Sequence, residues 1–258
     1  MWEKTKIFLV ADAADAVHAE KTGVPCVRLV YRVGDSGTLQ RAQTQLTVRG
    51  GLLGIYEAPG LNAAQPEKLA RDIQAECGRR GYSGAVLDLE PAQEQLPKLE
   101  ALCAALARMG VRHFVPESVA PFAPEGKVIV SAAVSGGSFA QMLEALCRKY
   151  GAENLCLDLV RVCADFTMPS YDPDGRPLSQ EEFRELRETY QAQGFFSPEL
   201  CQKYFTYRKQ NGSAHFVLYD DADTVLQKLR LADKASVGWA FLLYSEWGRD
   251  AKELFSAK

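Results

Sequence analysis

The sequence is poor in the residues from which metal and redox sites are usually built. Its three histidines, His18, His113 and His215, stand far apart and form no H-x-H or H-E-x-x-H arrangement, so a histidine-based metal site is not expected. None of its seven cysteines forms a C-x-x-C pair. Cys77, Cys103 and Cys147 sit among Ala and Leu on helical patterns, as small buried hydrophobes do in a reducing compartment. No G-x-G-x-x-G follows a strand-like run, which removes the phosphate grip of a dinucleotide fold. No apolar run approaches the ~18 residues of a membrane span. Met1 to Val10 is too short an apolar stretch for a secretory signal, and no small-residue cleavage site follows it. Basic charge is not in excess either: 30 Lys and Arg against 33 Asp and Glu give a net charge of −3, and the pI is near 5.8. That balance argues against a nucleic-acid binder. The expectation is a cytoplasmic protein without a membrane, nucleic-acid or cofactor partner.

What the chain does have is alternation. Short β-branched runs at Ile7–Asp12, Cys26–Val33, Leu52–Glu57, Ala85–Glu90, His113–Glu117, Val128–Ala133, Leu155–Val160 and Ala240–Ser245 read as strands. Between them, Glu67–Arg80, Leu96–Met109, Phe139–Tyr150, Gln180–Gln191 and Ala222–Ala235 carry apolar residues at three- and four-residue spacing, the helix period. Gly81, Gly110 and Gly151 stand where helices need a left-handed end before the next strand. Runs such as Ala85-Val86-Leu87 are apolar on both faces, as strands of a covered parallel sheet must be. Over 258 residues this rhythm predicts a single α/β domain, a (β/α)8 barrel spanning residues 1–258. Residues 161–221 break the rhythm with Pro169, Pro173, Pro177 and Pro198 and with two β-prone runs around Asn211-Gly212, a hairpin signal. This stretch is expected to be an insertion before the last helix and strand, placed over the catalytic end of the barrel.

Acids recur at the strand ends: Asp12, Glu57, Glu90 and Glu117 close strands, and Glu246 follows the last one. In a barrel they would ring the C-terminal mouth and suit a polar or carbohydrate ligand; each could equally cap the helix that follows. Asp88 and Glu90 are two residues apart on one strand, so their side chains share a face. Two neighbouring carboxylates raise one another's proton affinity, the condition for a general acid near neutral pH. Tyr56, Tyr244 and Trp247 flank strand ends, where they would offer aromatic platforms for sugar rings or pack the rim.

The run Gly84 to Pro91 resembles the second half of the D-G-x-D-x-D-x-E motif on the fourth strand of glycoside hydrolase family 18, the chitinase-like barrels; Gly84, Asp88 and Glu90 match it. A second stretch is similar to the family's C-terminal hairpin, helix and eighth strand: Tyr219-Asp220-Asp221, Thr224, Lys228 and then Val237 to Trp247. Together the matches cover about a third of the chain. The resemblance implies that Glu90 protonates the glycosidic oxygen of a β-linked N-acetylhexosamine-containing glycan. Asp88 would orient the N-acetyl carbonyl, which serves as the internal nucleophile. It also implies a tyrosine in an M-x-Y-D motif after the sixth strand, for which Met168-Pro169-Ser170-Tyr171-Asp172, one residue longer, offers Tyr171. The chain departs from the motif at Ser83 and Val86, which replace two aspartates, and at Leu89. A barrel that holds a glycan or another partner without turnover is therefore the alternative expectation, and a magnesium-assisted hydrolase or lyase built on the carboxylate ring is the third.

Overall fold

The computed structural model describes residues 4–43, 49–134, 136–169, 172 and 174–256. Eight parallel strands form its centre: β1 (Lys6–Asp12), β2 (Cys26–Val33), β3 (Leu52–Glu57), β4 (Ala85–Leu87), β5 (His113–Pro116), β6 (Lys127–Ser131), β7 (Leu155–Asp158) and β8 (Trp239–Leu243). Each pairs with the next, and β1 pairs with both β2 and β8, so the sheet closes into a barrel. The expected α/β barrel with an inserted antiparallel sheet is the fold of the chain.

Strand alternation sorts the side chains. Phe8, Val27, Leu52, Val86, Phe114, Cys156, Trp239 and Phe241 form the apolar interior of the barrel. Phe114 meets Trp239 edge-on at 5.0 Å and lies 5.3 Å from Phe241, so rings fill the space that aliphatic layers fill in other barrels. Gly54 on β3 is required there, because a Cβ would stand 2.7 Å from Leu29 and 2.9 Å from the Arg28 carbonyl. The intervening residues point outward, where Leu9, Leu53, Ile55, Ala85, Leu87 and Leu157 pack against the helices.

The helices are α1 (Ala16–Glu20), α2 (Pro66–Arg80), α3 (Leu96–Arg108), α4 (Phe139–Tyr150), α5 (Gln180–Thr189), α6 (Ala222–Lys234), α7 (Tyr244–Trp247) and α8 (Ala251–Ser256). In α2, Pro66 opens the first turn, Leu69, Ala70, Ile73 and Cys77 make the buried stripe, and Gly81 at φ 71° donates its N–H to Cys77 to end it. Among the described residues β2 and β5 are followed by no α-helix. Strand Leu39–Arg41 pairs antiparallel with β2, and a 3-10 helix, Glu117–Phe122, follows β5. No described helix is long and apolar enough to cross a membrane.

After β7 the chain builds a five-stranded antiparallel sheet in the order Arg176–Pro177, Cys163–Met168, Ala214–Tyr219, Gln202–Arg208, Phe195–Ser197. The hairpin expected around Asn211-Gly212 is its centre, with Gly212 at φ 87°. One face packs Leu178, Phe205, Tyr207, Val217 and Tyr219 against Phe183, Leu186 and Tyr190. Of these last three, Phe183 and Leu186 belong to α5 and Tyr190 to its end. Strands Cys163–Met168, Arg176–Pro177 and Phe195–Ser197 were not expected from sequence; they are short, interrupted by prolines or flanked by turns, and become strands only by pairing.

Candidate active site

The fourth strand is shorter than its sequence predicts. Its ladder ends at Leu87, with one further bond from the Asp88 N–H to the Ile55 carbonyl at 2.9 Å. The alternation nevertheless continues: Leu89 is buried, and Asp88 and Glu90 are exposed on either side of it. Both acids line one cleft of about 500 Å³, together with Tyr56 and Glu57 from the end of β3 and with Leu61, Leu89 and Gln95. Tyr56 keeps 42% of its surface open. Although Asp88 reaches solvent, the surrounding rim strips water from it, and that desolvation, followed by the charge of Glu90, raises its carboxyl above the ordinary aspartate range.

Sequence reasoning missed Asp158. It ends β7 two residues after the interior Cys156, so it points into the mouth. Burial, then the charges of Glu246 and Asp88, push its carboxyl up to about 6. Glu246 is itself raised, chiefly by burial, while its Oε2 accepts the Arg161 N–H at 2.8 Å. The Arg161 guanidinium is committed elsewhere, to the Glu246 carbonyl at 2.8 Å and the Asp250 carboxylate at 3.0 Å. Among the described residues the side chains of Asp88, Glu90 and Asp158 have no hydrogen bond or ion pair, so their mutual repulsion goes unrelieved. The one signal in the sequence was an acid at the end of Leu155-Cys156-Leu157, on the inward phase of that strand.

The other expected residues divide. Glu57 stays at the cleft but is paired with Arg32 at 2.8 Å. Asp12 accepts the N–H groups of Ala14 and Asp15, both at 2.9 Å, which closes a turn ahead of α1; the N-cap position of that helix is Asp15, so Asp12 neither faces the mouth as a free acid nor caps the helix. Glu117 accepts from the Tyr150 hydroxyl at 2.7 Å and from Lys149 at 3.0 Å, both in the last turn of α4, and so reaches along the outer wall instead of into the mouth. Its carboxyl is held low by the Tyr150 hydroxyl first of all, with Lys149 assisting against the opposing effect of burial. Tyr244 is half-buried, its ring against Gly248. Trp247 offers no open face: it is fully buried, its indole N–H donates to Leu159 at 2.8 Å, and Arg161 covers the ring at 4.5 Å. Tyr171 lies outside the described residues. Its neighbour Met168 is on the inserted sheet, after the seventh strand and not the sixth, whose end runs into Ala132, Ala133 and Val134. The spacing resemblance at Met168 therefore does not correspond to the position after β6.

The Asp220 to Lys228 part of the second sequence match is structural. The Asp220 carboxylate accepts from Lys228 at 2.9 Å, Gln202 at 3.1 Å, Thr224 at 2.8 Å and the Val162 N–H at 3.2 Å, in a site where Lys228 is 1% exposed. This network ties the inserted sheet to α6. Among the described residues no group of three or more His, Cys, Asp or Glu side chains is placed to hold a metal ion.

The sequence matches no protein-family model and no curated protein. The structure, however, is similar to solved barrels along nearly its whole length. The spore cortex-lytic enzyme SleL of Bacillus cereus superposes with a TM-score of 0.65 at 13% identity, over 97% of this chain and 74% of that one. A GH18 chitinase of Cycas revoluta, solved as a mutant in complex with (GlcNAc)4, gives 0.62 at 14% identity over 96% and 97%. A chitinase of Chromobacterium violaceum gives 0.60 at 13% identity over 97% and 99%. At these identities the likeness is one of fold: the chain has the chitinase-like (β/α)8 barrel, with its antiparallel insertion after the seventh strand.

Proposed function

We propose that this protein is a glycosidase of the chitinase-like type, acting on a β-linked glycan that contains N-acetylhexosamine. The observation that carries the proposal is the cleft in which Asp88 and Glu90 meet beside the open ring of Tyr56. Glu90 serves as the acid that protonates the glycosidic oxygen. Asp88, whose proton affinity is raised by desolvation and then by Glu90, orients the N-acetyl carbonyl that attacks the anomeric carbon. Tyr56 stacks on a sugar ring. With Val86 buried in the apolar interior, Asp88 has no acid beneath it on its own strand. In this mechanism Asp158 supplies that neighbouring charge from β7.

Val86 also favours the second reading, a barrel that binds a glycan without cleaving it. A magnesium-assisted reaction finds no ligand cluster among the described residues to support it. The deciding experiment is turnover of fluorogenic N-acetylglucosaminide oligomers by the wild type and Glu90→Gln, with binding measured alongside. Glu90→Gln is expected to lose about 10²- to 10⁴-fold in turnover while retaining binding, the usual weight of a general acid. Binding without cleavage by either protein would select the second reading, and neither binding nor cleavage would refute both.

A further inference from the structure

The inserted sheet holds a separate set of reactive side chains. Asp165 and His215 lie on adjacent antiparallel strands, where Asp165 pairs with Val217 and His215 with Thr167, which makes them diagonal neighbours. The His215 Nδ1 is 3.0 and 3.2 Å from the two Asp165 carboxylate oxygens, and each side chain is only 4% exposed. The Tyr207 hydroxyl donates to Asp165 Oδ2 at 2.8 Å, and its ring stacks on the imidazole at 4.6 Å and 16°. The imidazole is thereby fixed in plane and in direction. Its other nitrogen, Nε2, lies 3.0 Å from the Ser213 Oγ. A carboxylate on Nδ1 selects the tautomer whose Nε2 lone pair is free, and a serine hydroxyl within hydrogen-bond reach of that lone pair is the arrangement that activates a nucleophile.

Ser213 closes the hairpin turn, half-buried beside the exposed Asn211 and Gly212, so an acyl group can reach Oγ from solvent. At rest the hydroxyl donates its one proton to Asn211 Oδ1 at 2.8 Å, and a rotation about Cβ–Oγ turns that proton to His215 Nε2 when the nucleophile forms. The Arg208 guanidinium donates to the Gly212 carbonyl at 3.2 Å and places positive charge next to the serine. We infer that Ser213, His215 and Asp165 form a second, nucleophilic site that accepts acyl groups from small carboxylic esters. Ser213 Oγ bonds to the ester carbonyl carbon as its proton passes to His215 Nε2, and the carbonyl electron pair moves onto oxygen. Collapse of that adduct breaks the bond to the alcohol, which leaves with the proton from Nε2. Water then repeats the sequence on the acyl-serine, giving the carboxylic acid and the free hydroxyl. This site is independent of the glycan cleft, and its failure would leave the glycosidase proposal untouched.

The test is labelling of the full chain by a fluorophosphonate, with the adduct located by peptide mass spectrometry, and hydrolysis of p-nitrophenyl acetate measured in parallel. One adduct on Ser213 is expected, absent in Ser213→Ala and formed about a hundredfold or more slowly in Asp165→Asn, where the tautomer is no longer fixed. Because Asp165→Asn could disturb the sheet, the ¹⁵N shifts of His215 in the wild type give a second measure: a neutral ring protonated on Nδ1 at the labelling pH is expected. No adduct on Ser213, an equal rate in folded Asp165→Asn, or an imidazolium that donates to Ser213 would each overturn the inference.

Discussion

Between the two ends of the barrel the interior is apolar, filled by Phe8, Leu52, Val86, Phe114, Trp239 and Phe241, while its charge is confined to the rims. Lys6 and Arg112 lie against Trp239 at one end, and Asp88 and Asp158 stand at the other. The inserted sheet, in contrast, buries Asp165 and His215 within its strands and Gln202, Asp220 and Lys228 at its root, all less than a tenth exposed. The closed ring of strands keeps its inner layer apolar and places its buried ions on the outer layer, where Arg28 meets Glu20 at 3.0 Å and Glu76 accepts from the Tyr31 hydroxyl at 2.7 Å. A sheet covered by one short helix has less apolar area to bury, and its unique pairing rests on hydrogen-bonded ions. The acids also differ in kind: those of the sheet are matched with donors, whereas Asp88, Glu90 and Asp158 at the mouth are not, which is the condition in which a carboxyl is available for chemistry.

That contrast can be broken most forcefully at the root of the sheet. Lys228→Met leaves Asp220 charged and buried, and is expected to cost about 3–5 kcal/mol in urea unfolding. A second change, Asp220→Leu, should recover only part of this, because Gln202, Thr224 and the Val162 amide lose their acceptor. Full recovery would mean that the network is dispensable.

The mouth should respond with the opposite sign. The folded Asp158 carboxyl titrates at about 6, above its ordinary value of 3.8, so the native state binds the extra proton and wild-type stability falls as pH rises through that interval. Asp158→Asn is therefore expected to melt with the wild type below pH 4 and to be more stable above pH 6, by on the order of 2 kcal/mol. Thermal scans from pH 3.5 to 8 decide it, and parallel curves would remove the strain assigned to this group.

The smallest expected effect compares two helix starts. Ser179 accepts from the Glu182 N–H at 3.1 Å and Glu182 returns a bond to the Ser179 N–H at 2.8 Å, whereas Ser138 accepts from Gln141 at 3.4 Å without a reciprocal bond. Ser179→Ala should cost about 1 kcal/mol and Ser138→Ala less. Reversal of that order would show that the inserted sheet holds α5 without its cap.

The barrel was legible because its signals are local and repeated. All eight strands and the helices α2 to α6 follow from apolar period, β-branched runs and glycines such as Gly81. The cleft was half legible: Asp88 and Glu90 share a face by parity alone, yet parity cannot say that Glu117 turns outward toward Tyr150 or that Asp12 spends its carboxylate on a turn. Those outcomes depend on partners 33 residues away in one case and two in the other. Asp158 escaped notice because a single acid after an apolar strand has no distinguishing neighbour in sequence; its neighbours, Asp88 and Glu246, come from opposite halves of the chain. Asp165 and His215 are 50 residues apart and meet only through strand pairing.

The Asp220 N–H donates to the Val162 carbonyl at 2.8 Å, so the inserted sheet leaves the barrel and returns to it through one doorway. A bridge of two or three residues between those positions would span the gap without stretching β7 or α6. The barrel can thus be treated as a socket into which excursions of other lengths are grafted while its eight strands, and the acids at their ends, stay as they are.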